Sequence, residues 1–107
     1  MITITVKKRN GSYTEFVSKG HAGYAEAGQD IVCAAVSALI ITTVNSLESF
    51  TEEKFQAEEK DGFVSIHFHG SQNTDQGKLL MDSLLLGLTE IAHNYNNRYL
   101  TVRVKEV

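Results

Sequence analysis

The sequence predicts an α+β domain: a mainly antiparallel sheet of about five strands, in the order β-β-α-β-β-α-β, with two helices packed on one face. Three observations carry this. Short segments of alternating apolar and polar residues flank Asn10-Gly11 and Asp61-Gly62, both hairpin-forming pairs. Two longer segments are apolar at helical spacing. The links between strands are short, which favours antiparallel neighbours over crossovers. A length of 107 residues fits one domain, 1–107.

Ile2, Ile4 and Val6 alternate with Thr3, Thr5 and Lys7, the pattern of a half-buried strand. A second strand is expected from Ser12 to Ser18. Gly20–Gly28 breaks the pattern with three glycines, Gly20, Gly23 and Gly28, and reads as a mobile loop. A helix is expected from Gln29 or Asp30 to about Glu48, with Asp30 as its N-cap or first-turn residue. That helix is apolar on nearly every side, so it needs cover on more than one face, and a partner subunit is a reasonable cover. Phe55–Lys60 and Phe63–His69 form the next hairpin, with Val64, Ile66 and Phe68 towards the core. A second helix runs from Thr74 or Asp75 to Tyr95. Leu80, Leu84, Leu88, Ile91 and Tyr95 form its inward stripe, and Asn96-Asn97 end it. Leu100, Val102 and Val104 alternate in a last strand.

Composition narrows the function classes. The net charge of −3 leaves little clustered positive charge, so direct nucleic-acid binding is not expected. The longest apolar run, Ile31–Ile41, falls short of the ~18 residues of a membrane span, so no membrane association is expected. The start of the chain lacks the basic residues and apolar stretch of a signal peptide. One cysteine cannot form an internal disulfide, and a cytoplasmic location is the natural expectation.

That cysteine, Cys33, stands three residues after Asp30, in the expected first turn of the first helix. Unpaired N–H groups and partial positive charge at a helix start favour the thiolate and could bind an oxyanion. His21 lies at the other end of the glycine-rich loop, which can fold back and bring imidazole to sulfur as a general base. Asp30 could cap the helix or orient His21. Ser37, one turn after Cys33, could hydrogen-bond the thiolate or the loop. The plainer readings are a buried small hydrophobe for Cys33, a solvated loop residue for His21, an N-cap for Asp30 and a helix filler for Ser37.

The run Gly20-His21-Ala22-Gly23-Tyr24, followed by Gly28-Gln29-Asp30-Ile31-Val32-Cys33-Ala34-Ala35-Val36-Ser37-Ala38-Leu39, resembles the signature of the ribosomal-processing cysteine protease family, Prp. The resemblance is sharp over residues 20 to 39 and extends over the chain in length and element order. It implies a Cys/His endopeptidase with Cys33 as nucleophile and His21 as base. Asp30 and Ser37 match further motif positions, and the Gly20, Gly23 and Gly28 loop orders around substrate. It also implies a homodimer and a peptide substrate; no cofactor or metal is expected. That substrate is the precursor of large-subunit ribosomal protein twenty-seven, whose N-terminal extension is removed during ribosome maturation.

Other signals weigh less. His67 and His69 share one side of a strand, a metal-binding spacing, but His93 is on a separate helix and no third ligand is evident. Glu52, Glu53, Glu58, Glu59 and Asp61 read as a solvated surface that could also attract a basic substrate. Phe63 and Phe16 are candidates for a groove wall, with core packing the plainer expectation. The alternative function is a non-enzymatic dimeric ribosome-assembly or RNA-associated module. A catalytic thiol would separate the two, because it alkylates at mildly acidic pH, where an ordinary thiol (pKa ~8.5) is protonated.

Overall fold

Asn10 and Gly11 both take left-handed backbone angles (φ 52° and 82°), the conformation a two-residue hairpin turn demands. They join β1 (Ile2–Arg9) to β2 (Ser12–Lys19). The computed structural model describes the backbone of residues 1–20 and 27–107, and all of those side chains except 27–30. After β2 come α1 (Ala27–Phe50), β3 (Phe55–Lys60), β4 (Phe63–Phe68), α2 (Asp75–Asn94) and β5 (Leu100–Glu106). Asp61-Gly62 turns the second hairpin, with Gly62 at φ 69°. Asn96 and Asn97, at φ 56° and 57°, follow α2 in the left-handed conformation that asparagine tolerates.

The five strands form one sheet in the order β3-β4-β2-β1-β5. Three of its four pairings are antiparallel, and β5 lies parallel to β1, from Ile2 beside Leu100 to Lys8 beside Glu106. This parallel edge follows from α2, since a helical crossover returns the chain to the end of the sheet where the previous strand began. The strand β3 is left at the opposite edge, paired only with β4 among the described residues.

One sheet face supplies Ile4, Val6, Phe16 and Ile66 to the core. The helices α1 (through Val32, Val36, Ile40 and Leu47) and α2 (through Met81, Leu84 and Leu88) cover them. The inward stripe of α2 differs from expectation. Gly77, Met81, Leu84, Leu88 and Ala92 are buried, while Leu80, Ile91 and Tyr95 are only half-buried. Gly87 turns that helix onto α1: a Cβ there would lie 3.0 Å from Leu39 Cδ1, so only glycine allows this approach without displacing Leu39.

The start of α2 is built by side chains. The Thr74 hydroxyl accepts from the Gly77 N–H at 3.0 Å, an N-cap bond. Glu53 Oε1 in turn accepts from the Thr74 N–H at 2.9 Å and its hydroxyl at 3.2 Å. Glu53, which the sequence places in a solvated acidic surface, therefore joins the α1–β3 connection to α2. At the other side, the Tyr13 hydroxyl donates to Asp82, fastening β2 to α2. Burial, then the Asp82 bond and charge, raise the Tyr13 phenol far above its ordinary range.

One expectation needs correction. Ile31–Phe50 is a helical segment long and apolar enough, by length and composition, to cross a membrane. In sequence the apolar run ends at Ile41, bounded by the polar Thr42-Thr43. In the fold Thr43 is buried and its hydroxyl donates to the Leu39 carbonyl at 2.8 Å, so it does not interrupt the apolar segment. Val32, Val36, Ile40 and Leu47 place this helix in the domain core.

Candidate active site

Val32, Val36 and Ile40, four residues apart on α1, are buried in the core, so Cys33 and Ser37, each one residue beyond Val32 and Val36, fall on the flank of that face. That flank faces a cleft of about 530 Å³ between α1 and the tip of the β3–β4 hairpin. Cys33 is half-buried and Ser37 exposed, and both line the cleft. Asp61, Gly62 and Phe63 form the opposite wall, and Ser18 and Gly20 at the end of β2 contribute a third side. Of the two aromatic candidates, Phe63 lines the cleft and Phe16 is wholly buried in the core.

Gly20 is held from two directions. Its N–H donates to the Gly62 carbonyl at 2.8 Å, tying the end of β2 to the hairpin. Its φ of +96° is unfavourable for any residue with a Cβ, and a Cβ there would lie 2.4 Å from the Met1 carbonyl oxygen. The collision is with backbone and cannot be relieved by a rotamer change. Gly20→Ala should therefore lower stability by about 2 kcal/mol or more. Urea denaturation measures this, and a midpoint equal to wild type would show that the strand end re-forms without cost.

The sequence candidates divide into three groups. Cys33, Ser37 and Gly20 come together in one cleft. His21 and Gly23 lie outside the described residues. Gly28 and Asp30 are the second and fourth residues of α1. The helix thus begins earlier than expected: Asp30 is not its cap, and Cys33 is its seventh residue rather than a first-turn one. The unpaired N–H groups of a helix belong to its first four residues, here 27–30. At 1.5 Å rise per residue these lie about 4–9 Å along the axis from Cys33. The helix start is therefore displaced from the position that the oxyanion expectation gave it.

Of the hairpin wall, sequence offered Phe63 as a groove candidate and Asp61 as part of an acidic stretch, but the Asp61-Gly62 turn gives no local signal that it lands opposite Cys33. Elsewhere, His67 is exposed with Nδ1 3.8 Å from Glu15 Oε2, and its ring meets that of His69 edge-on at 5.3 Å. Among the described residues, no three His, Cys, Asp or Glu side chains are grouped to hold a metal.

Comparison with known proteins bears on this cleft. A family model described as cysteine protease Prp matches residues 1–100. The ribosomal processing cysteine protease Prp of Staphylococcus aureus is 32% identical over 98 residues, covering 90% of this chain and 92% of that protein. The crystal structure of the S. aureus protease with a covalently linked product peptide superposes with a TM-score of 0.87 at 30% identity, over 98% of this chain and 100% of that one. The S. aureus structure with a substrate peptide gives the same TM-score at 29% identity, with the same coverage. The match covers nearly the whole chain and decides against a non-enzymatic module: the chain belongs to the Prp family of cysteine proteases.

Proposed function

We propose that this protein is a cytoplasmic endopeptidase that removes the N-terminal extension of large-subunit ribosomal protein twenty-seven during ribosome maturation. Cys33 is its nucleophile and His21 its general base. The observation that carries the reading is the cleft: Cys33 opens onto it, and Gly20, the residue before His21, lines the same space. A family relative holds a covalently linked product peptide, which is the kind of adduct an acyl-forming thiol makes.

In this mechanism His21 takes the Cys33 proton and the thiolate attacks the scissile carbonyl carbon. The C–N bond breaks, and the leaving amine takes the proton back from His21. Water, deprotonated by His21, then attacks the thioester, releasing the acid and restoring the thiol. Ser37, exposed one turn along from Cys33, lines the cleft and in this reading hydrogen-bonds substrate or the segment between Gly20 and α1. Asp30 acts on the loop from the start of α1. No cofactor, metal or nucleic acid enters the reaction. Incubation of the extended ribosomal protein with wild type and Cys33→Ala tests the proposal, cleavage being expected of the first alone.

The working unit in this reading is a homodimer. Ile31 and Ile41 are 60% and 45% exposed on α1, and the exposed Ala34 and Ala38 lie between them. Small residues flanked by large apolar ones allow two helices to approach closely, and burying such a stripe removes apolar surface from water. Ala38→Glu should convert a dimer to a monomer in sedimentation equilibrium. A variant that sediments as wild type would remove α1 from the interface.

A further inference from the structure

The cleft beside Cys33 continues beyond Ile41. Two further hollows, of about 280 and 590 Å³, follow α1 towards its C-terminus. Ile40 and Ile41 border both the first and the second, and Val44 and Ala57 border both the second and the third. The result is one trough. Its α1 wall carries Cys33, Ser37, Val44 and Glu48, at separations of four, seven and four, which fall along one strip of a helix. From Cys33 to Glu48 that strip spans about 22 Å, the length of six or seven residues of extended chain at about 3.3 Å each.

The other wall is β3, the edge strand. The His69 N–H donates to the Lys54 carbonyl at 2.9 Å. In an antiparallel ladder the residues bonded to the neighbour alternate. Lys54, Gln56 and Glu58 therefore face β4, and Phe55, Ala57 and Glu59 turn their N–H and C=O groups outward. The side chains of those same three residues lie on the helix side of the sheet, opposite Phe68, Ile66 and Val64. A row of backbone donors and acceptors thus runs beside an apolar floor that leads to Cys33. An unpaired edge of this kind accepts an added strand. Acidic groups border the row: Glu59 from β3 and Glu48 from α1. Neither has an ion-pair partner among the described residues, whereas Glu58 pairs with Lys60 at 2.9 Å.

We propose that substrate docks by strand addition to β3. An extended segment on one side of the scissile bond, carrying lysine or arginine, hydrogen-bonds to the backbone of Phe55, Ala57 and Glu59. Basic side chains along the segment meet Glu59 nearer the Cys33 end and Glu48 at the far end of the trough. This deepens the protease reading and rests on it.

The test measures binding rather than cleavage. In the Cys33→Ala protein, the anisotropy of a labelled basic peptide with six residues on each side of the cut is followed. N-methylation of its backbone amides, one at a time, should weaken binding about tenfold at every second position on one side of the cut and little at the positions between. Ala57→Pro, which removes one outward N–H and leaves the β4 ladder intact, should weaken the unmodified peptide about tenfold, whereas Ala57→Ser, which keeps that N–H, should not. A methylation scan without a period of two would overturn the proposal. So would Ala57→Pro that keeps the wild-type melting temperature and binds as tightly as Ala57→Ser. A change in the sedimentation of the peptide-free protein on Ala57→Pro would assign the edge to a second copy of the chain instead, also overturning it. If wild type cleaves no peptide while the alternating pattern holds, the protease reading fails and the docking surface stands.

Discussion

Cys33→Ala should lower kcat/KM for an extended peptide by at least about 10⁴-fold, the scale seen when a covalent nucleophile is removed. The fold should survive. Cys33 is half-buried at a cleft wall, so losing one sulfur empties little packed volume, and the melting temperature should stay within a few degrees of wild type. Peptide affinity should remain, since the groove along α1 and β3 is untouched. A structural cysteine would give the opposite pattern, with stability falling and activity following it. Circular dichroism melts beside single-turnover kinetics separate the two.

His21→Ala should reduce the same rate constant by about 10²–10⁴-fold, the usual contribution of a positioned general acid–base. The effect should be confined to chemistry. Peptide binding in the Cys33→Ala background should not change when His21 is also replaced, and the double variant should be no slower than Cys33→Ala alone. Residues that act as one unit are not additive in this way. Full additivity of the two losses would place His21 outside the mechanism.

These expectations rest on features that the sequence expresses unequally. Both hairpin turns were legible, because Asn10-Gly11 and the glycine of Asp61-Gly62 supply the positive φ angles that few other residues tolerate. The end of α2 at Asn96-Asn97 was legible for the same reason. The start of α1 was not. Gly28 and Asp30 look like a boundary, yet glycine in a first turn interrupts few helical hydrogen bonds, and the helix begins at Ala27. The inward face of α2 was misjudged by about one position, since leucines at 79, 80, 84, 85, 86 and 88 offer several apolar stripes. Burial of Gly77 and the contact of Gly87 with Leu39 show which stripe packs.

The site divides similarly. Cys33, Ser37 and Gly20 were found from the signature, and the fold gathers them around one cleft. The wall facing them comes from residues 61–63, roughly thirty positions further along. Sheet order alone, β4 beside β2, brings the two together, with the Gly20–Gly62 hydrogen bond at the join. Such long-range pairing has no local sequence signal. The same holds for the edge position of β3: its charged run Glu58-Glu59-Lys60 reads from sequence as a solvated surface that could attract a basic substrate, with no sign that it borders the sheet.

The most direct measurement is the mass of the products formed when ribosomal protein twenty-seven, with its N-terminal extension, is incubated with wild type and with Cys33→Ala. One cut at the extension boundary is expected with wild type, and intact substrate with the variant. Cleavage by both, or a wild-type enzyme that leaves the extension in place, would contradict the proposed function.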